Sequence, residues 1–280
     1  MKGACYIDGK IVPAEKAVVP VDDLAFLRGY GVFDFLRTYG GRPFHPREHL
    51  RRLRASARAV ALPFPWEEDE LMGLIDRVLA AAGLPEATVR IVVSGGSSPD
   101  FFTPGGDPRL VVLAAPVQAC PAWWYQRGVS VSVVRRTRSY PGAKTLNYLA
   151  AVVSVAGARS RGAVEALLVD GGGMVREGET TNLFMVSSGR LVTPGEGILP
   201  GITRGVVLDL FASDAAVEIR DISLEELLAA DEVFLTATNK ELVPVVRVDE
   251  RAIGAGAPGP VTVRAVERFR NYVAEFAARS

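Results

Sequence analysis

The sequence predicts an α+β fold in two domains, on three observations. Extended runs of period-two alternation are interleaved with segments of helical periodicity along the chain. The stretch "APVQACPAWWYQRG", Ala115–Gly128, loses periodicity and carries two prolines, which suits a connection between domains. With 280 residues, 49% of them apolar, the chain is long enough for two domains of ordinary size. The expected division is residues 1–117, a connection at 118–128, and residues 129–280.

In the first domain, "ACYIDGKIVPAE" predicts a hairpin around Asp8-Gly9, and "GVFDFLRTYGGRPF" a second turning at Gly40-Gly41. "HPREHLRRLRASARAVAL" follows as a helix, with Pro46 in its first turn and Leu50, Leu53, Ala57 and Val60 spaced as one buried stripe. A second helix, "WEEDELMGLIDRVLAAAG", is closed by Gly83. Two apolar strands, "ATVRIVVSG" and "RLVVLAAPV", flank a Gly/Pro-rich insert.

Beyond the connection, "VSVSVVRRTRS" alternates as a half-buried strand, and "KTLNYLAAVVSVAGARSRG" begins a helix. Hairpins are expected at Gly171–Gly173 and Ser188-Gly189. "GITRGVVLDLFAS" is a helix after a Pro200-Gly201 turn, and Ser223 with Glu226 makes a capping box before "LEELLAA". "PGPVTVRAVERFRNYVAEFAARS" closes the chain as an amphipathic helix.

Composition narrows the partners. Lys plus Arg and Asp plus Glu number 32 each, so no net field favours nucleic acid, a membrane surface or a polyanion. Small molecules are the expected partners. Cys5 and Cys120 match neither a zinc spacing nor a disulfide framework, and "MKGACYIDGKIVPAEK" holds no apolar signal core, so a reduced, cytoplasmic setting is expected. No window is long and apolar enough for a membrane span. His45 and His49 stand four apart on one helix without a third ligand nearby, so a structural role is expected and no metal.

One residue is out of place on this reading. Lys144 stands where Leu146, Leu149, Ala150 and Val153 begin to recur at helical spacing, at the entrance to a segment expected to pack on a core. Burial favours the free amine, which is nucleophilic towards an aldehyde. A lysine reaching from a helix end into water is the other reading. Further along, Glu177 precedes Gly178 in an apolar hairpin, where a carboxylate needs a cationic partner. "GILPGITRG" sets a glycine turn at a helix start, a place for a phosphate, with the Thr203 hydroxyl beside it. "DEVFLTATNKELVPV" ends a strand with Thr236 and Thr238.

Taken in order, "HLRRL", "KTLNYL", "REGETTNLF", "ILPGITR", "DISLEELLAADEVFLTATNKELVPV" and "GPVT" give the chain a resemblance to the class IV, fold-type IV pyridoxal-phosphate enzymes. That family contains branched-chain aminotransferases, D-amino-acid aminotransferases and aminodeoxychorismate lyases. The resemblance implies a small α/β domain joined to a larger, cofactor-binding domain with a barrel-like sheet flanked by helices, a homodimer, and pyridoxal 5'-phosphate as cofactor. It implies that Lys144 condenses with the cofactor aldehyde and carries the proton, and that Glu177 faces the pyridine nitrogen. Arg52 is implied to grip the phosphate, Ile202, Thr203 and Thr238 to cradle it, and Tyr148, one turn after Lys144, to touch the ring hydroxyl.

The reaction so implied is ping-pong transfer of an amino group between an amino acid and a 2-keto acid. Branched-chain enzymes place one more residue between lysine and tyrosine, so the "KTLNY" spacing resembles the D-amino-acid and lyase branches. The carboxylate trap usual in D-amino-acid enzymes is missing from "SGGSSPDFF": Gly95 replaces its first arginine, and Asp100 and Phe102 stand about where its later residues belong. Arg28, Arg37 and Arg90 are the candidate carboxylate cations, with Phe33 beside them. Lys240, where relatives usually have a small residue, is a candidate to narrow or charge the pocket. The expectation is a D-amino-acid aminotransferase using Arg28 and Arg90. The alternatives are an L-branched-chain aminotransferase, supported by "VFDFLR" and "LPGITR", and the lyase.

Overall fold

The computed structural model describes residues 2–214 and 217–278. The chain forms two compact units, one of Met1–Gln118, Gly142–Tyr148 and Phe276–Ser280, the other of Ala119–Pro141 and Leu149–Glu275. Residues 142–148, placed by the sequence after the connection, thus group with the first unit. Their backbone explains it, because they hydrogen-bond along a strand of that unit.

The first unit runs β1 (Ala4–Ile7), β2 (Lys10–Pro13), α1 (Leu24–Arg28), β3 (Gly31–Tyr39), β4 (Arg42–Pro43), α2 (Pro46–Ala59), α3 (Glu68–Ala82), β5 (Ala87–Ser94) and β6 (Arg109–Pro116). Its six-stranded sheet has the order β2-β1-β6-β5-β3-β4. Leu50, Leu53 and Ala57 of α2 and Leu71, Leu74, Ile75 and Val78 of α3 pack on Val32, Leu36, Val89, Ile91 and Val112, with Val60 half-buried at the edge. Each buried Leu, Ile or Val among them contributes roughly 1.5–3 kcal/mol by leaving water. Alternation sorts the strands: Val89, Ile91 and Val93 are buried, while Arg90 is exposed and lies opposite Phe35.

The second unit runs α4 (Trp123–Arg127), β7 (Val129–Arg135), α5 (Leu149–Ser160), β8 (Glu165–Val169), β9 (Met174–Gly178), β10 (Asn182–Ser187), β11 (Arg190–Thr193), α6 (Ile202–Phe211), β12 (Val217–Ile219), β13 (Ile222–Ser223), α7 (Leu224–Leu228), β14 (Glu232–Ala237), β15 (Glu241–Val248), β16 (Arg251–Ala252) and α8 (Pro260–Ala278), whose last turn groups with the first unit. The sheet has the order β12-β11-β10-β14-β15-β7-β8-β9-β13, with β16 on β15. Strand β7 is parallel to both its neighbours, β15 and β8. Val131, Leu167, Leu183, Met185, Leu235 and Val243 centre its core.

Two expectations about the lysine stretch fail. Helix α5 begins at Leu149, so residues 145–148 are not a helical turn and Tyr148 does not follow Lys144 at helical spacing. Nor does its large apolar stripe pack inward: Leu149, Val152 and Val153 are 75%, 63% and 64% exposed. The helix is seated instead through its smallest residues, with Ala158 buried against Ala163 and Ala166, which lets the backbone approach the sheet closely. Helices α1 and α4, too short to show a period, were not expected.

Candidate active site

In the first unit, residues 144–146 lie along the edge of β3. The Phe33 N–H donates to the Lys144 carbonyl and the Leu146 N–H to the Gly31 carbonyl, each at 2.9 Å. Helix α2 fixes the same segment, since the Lys144 N–H donates to Ser56 Oγ at 3.0 Å and that buried hydroxyl donates to the Arg52 carbonyl at 2.8 Å. Lys144 is half-buried rather than buried. Its Nζ lies 4.8 Å from the centroid of the Phe33 ring, with the Arg90 guanidinium 5.0 Å and the Tyr148 ring 5.4 Å from the same ring. The structure therefore gathers Lys144, Phe33, Arg90 and Tyr148.

Parity in β3 sends Asp34 to the opposite face, towards α2. There it accepts from Arg52 Nε at 2.9 Å and Nη2 at 2.8 Å, and its Oδ1 lies 2.6 Å from His49 Nδ1, with all three side chains buried. Burial alone would raise the Asp34 carboxyl, but the Arg52 guanidinium and then His49 outweigh it and hold the group well below the usual carboxylate range. Burial pushes His49 down, which favours the neutral ring, and Asp34, ionised, can only accept the hydrogen bond from its Nδ1–H. Of the five arginines of "REHLRRLRASAR", only Arg52 is buried. His49 has a structural place here and His45 sits at the helix start. Among the described residues no cluster of His, Cys, Asp or Glu could hold a metal ion.

In the second unit Glu177 is buried and held by two hydrogen-bond donors and an ion pair. Its Oε2 accepts from Asn182 Nδ2 and the Leu199 N–H, both at 3.1 Å, and its Oε1 lies 3.1 Å from Arg138 Nε. Arg138 is the cation that the sequence required without naming. It also donates to the carbonyls of Gly178 and Glu179, at 3.1 and 2.5 Å. Asn182 lies flush against Gly201, where an added Cβ would fall 1.8 Å from Asn182 Oδ1. That glycine opens α6, whose N-terminus no side chain caps among the described residues, with Ile202 half-buried and Thr203 buried beside it.

Thr238 is half-buried in the turn between β14 and β15. Lys240, in the same turn, does not bring a loose charge: its Nζ donates to Thr180 Oγ1 at 2.6 Å and to Glu165 Oε2 at 3.1 Å. Three buried hydroxyls, those of Thr181, Thr236 and, at the start of α8, Thr262, have no hydrogen-bond partner among the described residues. Buried polar groups are rarely left so. With an uncapped helix start, hydroxyls and an anchored carboxylate, these residues fit a group that has a phosphate and a protonated ring nitrogen.

The expected carboxylate grip is not assembled. A Cβ at Gly95 would lie 2.3 Å from the Tyr30 ring, so no arginine fits there. Asp100 is spent on its own loop, accepting from Ser98, Phe102 and Thr103, and Phe102 is exposed. Arg28, on α1, is exposed and turns back on the Leu27 carbonyl at 3.0 Å. Arg37 lies over the Tyr39 ring at 4.1 Å.

Residues 31–248 match the family Amino-transferase class IV. The branched-chain-amino-acid aminotransferase of Salmonella typhimurium is 35% identical over 287 residues, covering 96% of this chain and 93% of that protein. The solved structure of the Escherichia coli branched-chain amino acid aminotransferase superposes with a TM-score of 0.90 at 32% identity, over 97% of this chain and 94% of that one. A T.th. branched-chain amino acid aminotransferase solved with pyridoxamine 5'-phosphate also reaches 0.90, at 30% identity over 98% and 94%. The chain belongs to the class IV aminotransferases, with the α+β fold and curled, barrel-like sheet of fold type IV. It is a pyridoxal-phosphate-dependent aminotransferase acting on amino acids and keto acids. These relatives are branched-chain enzymes, so the expectation of D-amino-acid specificity is not supported.

Proposed function

We propose that the chain is an L-branched-chain amino acid aminotransferase. The observation that carries this reading is Gly95 under the Tyr30 ring, which denies the D-type carboxylate trap its first arginine. The names of its relatives support it. The short lysine-to-tyrosine spacing argues little against it, because the intervening residues are not helical.

The bound cofactor supplies an aldehyde carbon and an electron-accepting ring. Lys144 is the amine for that carbon and moves the proton, on a backbone held by Phe33 and Ser56. Glu177, anchored by Asn182, Leu199 and Arg138, keeps the ring nitrogen protonated. In the first unit Arg52, oriented by Asp34, would be a phosphate cation and Tyr148 would meet the ring hydroxyl; in the second, Ile202, Thr203 and Thr238 would offer phosphate donors. Phe33 makes an apolar wall beside the amine, and Arg90, over its ring, is the carboxylate cation. A homodimer belongs to this reading, supported by the bare apolar face of α5. So does a cytoplasmic setting, supported by two free cysteines.

The test supplies 2-oxoglutarate with L-leucine, L-isoleucine and L-valine in one series and D-alanine and D-glutamate in another. Glutamate formed from the L donors is expected, and transfer from D donors alone overturns the reading. Borohydride should fix the cofactor to Lys144 and to no residue of Lys144→Ala. Fixation elsewhere would remove Lys144 from its role.

A further inference from the structure

The turn that bears Thr238 is held from three directions. Lys240 donates its N–H to the Ala237 carbonyl at 3.1 Å and accepts from Tyr125 Oη at 3.1 Å, which leaves Thr238 and Asn239 as the central residues of a closed turn. The third hold is the side chain. Lys240 Nζ reaches Glu165 Oε2 at 3.1 Å and Thr180 Oγ1 at 2.6 Å, while Thr180 Oγ1 donates to the same carboxylate oxygen at 2.5 Å. The Glu165 side chain is 1% exposed and that of Lys240 14%. The other carboxylate oxygen accepts the Ala166 N–H at 3.1 Å.

Glu165 also lies against the residue that follows Glu177: a Cβ at Gly178 would come within 3.0 Å of its Cγ. The charge of Lys240 is thus spent on a buried carboxylate packed beside the strand end bearing Glu177. A buried carboxylate without its cation is costly, so the pair resists opening. A group that binds phosphate must be held in place by its supporting contacts before the ligand arrives.

We propose that Lys240 is a positioning residue for the cofactor phosphate: with Glu165 and Thr180 it forms a buried strut tying the turn that bears Thr238 to the loop after β9. The proposal rests on the phosphate role given to Thr238 above. Lys240 acts through that turn and touches no substrate.

The experiment strips the holoenzyme of cofactor and measures the dissociation constants of pyridoxal 5'-phosphate and of pyridoxal, which lacks the phosphate, by fluorescence quenching. Wild type, Lys240→Met and Lys240→Met/Glu165→Gln are compared. In Lys240→Met the phosphorylated form should bind roughly tenfold or more weaker, the loss expected when a hydrogen bond to a charged group is removed. Pyridoxal should bind nearly as in wild type. The double variant, which leaves no uncompensated buried charge, should show the same loss of phosphate preference. It also serves if the single variant fails to fold. An unchanged ratio of the two affinities, whether both bind as tightly as before or both weaken alike, overturns the strut. A wild type that itself shows no preference for the phosphorylated form overturns the role of Thr238 and the strut with it.

Discussion

Phe33 and Lys144 are joined twice, by a 2.9 Å hydrogen bond from the Phe33 N–H to the Lys144 carbonyl and by the Lys144 Nζ 4.8 Å from the Phe33 ring centroid. The backbone bond sets where Lys144 lies along β3, and the ring sets where its amine ends. Phe33→Leu keeps the first and removes the second. The cofactor absorbance band should persist, while kcat falls by about tenfold, the scale of losing the ring that orients the amine together with the Arg90–ring contact at 5.0 Å. Stopped-flow absorbance against steady-state rates separates the two. A variant with full kcat would remove the ring from the reaction.

Asp34, His49 and Arg52 make stability depend on acidity in one direction. The Asp34 carboxyl is held low in the folded chain, so its contribution is whole above the unfolded value near 4 (about 3.9) and is lost as pH falls below it. His49 is also depressed, so below about pH 6.5 the unfolded chain takes a proton that the folded one refuses. On both counts the unfolded state binds more protons in acid, and stability rises with pH. The urea midpoint should therefore fall from pH 7 to 5 in wild type and stay level there in His49→Gln. Asp34→Asn, which strips the buried Arg52 of its partner, should lose about 3 kcal/mol at pH 7. A wild-type midpoint that does not move between pH 7 and 5 contradicts the assignment of His49.

Glu177→Gln keeps the shape of the side chain and removes its charge. Arg138, which is largely buried, then loses an ion pair, so the apo chain should be destabilised by about 3 kcal/mol. On the role proposed for Glu177, transamination should fall further than stability explains, because a neutral amide would not keep the cofactor ring nitrogen protonated. A single-turnover rate equal to wild type at a temperature where both are folded would refute this role.

How much of this was legible in the sequence depended on the range of the signal. The hairpins at Asp8-Gly9 and Ser188-Gly189, the stripe Leu50-Leu53-Ala57 and the cap Ser223 are local patterns, and they stand in the structure. Lys144, Glu177 and Arg52 drew attention because a charge stood in apolar surroundings or in a motif. Arg138 and Asp34 were missed because their partners lie 39 and 18 residues away and nothing local marks the pairing. The partner of Lys240 was hidden for the same reason, since Glu165, which takes its charge, is 75 residues distant. Periodicity failed outright in α5, where the large apolar residues gave the period and the alanines took the buried side.

That inversion in α5 leads to the last prediction. Leu149, Val152 and Val153 recur at helical spacing on the outside of the second unit, and three large aliphatic side chains in one exposed stripe are costly for a chain alone in water. A second copy of the chain, presenting the same stripe, would cover them symmetrically. Val152→Asp places a carboxylate in the middle of that stripe without touching Ala151 or Ala158, the residues that seat the helix. Sedimentation velocity should show wild type as a dimer and Val152→Asp shifted towards monomer, with a far-ultraviolet circular dichroism spectrum like that of wild type and a melting temperature lowered as dimer stabilisation is lost. A wild type that sediments as a monomer at all concentrations, or a variant that stays dimeric, would show that the stripe is not where copies meet.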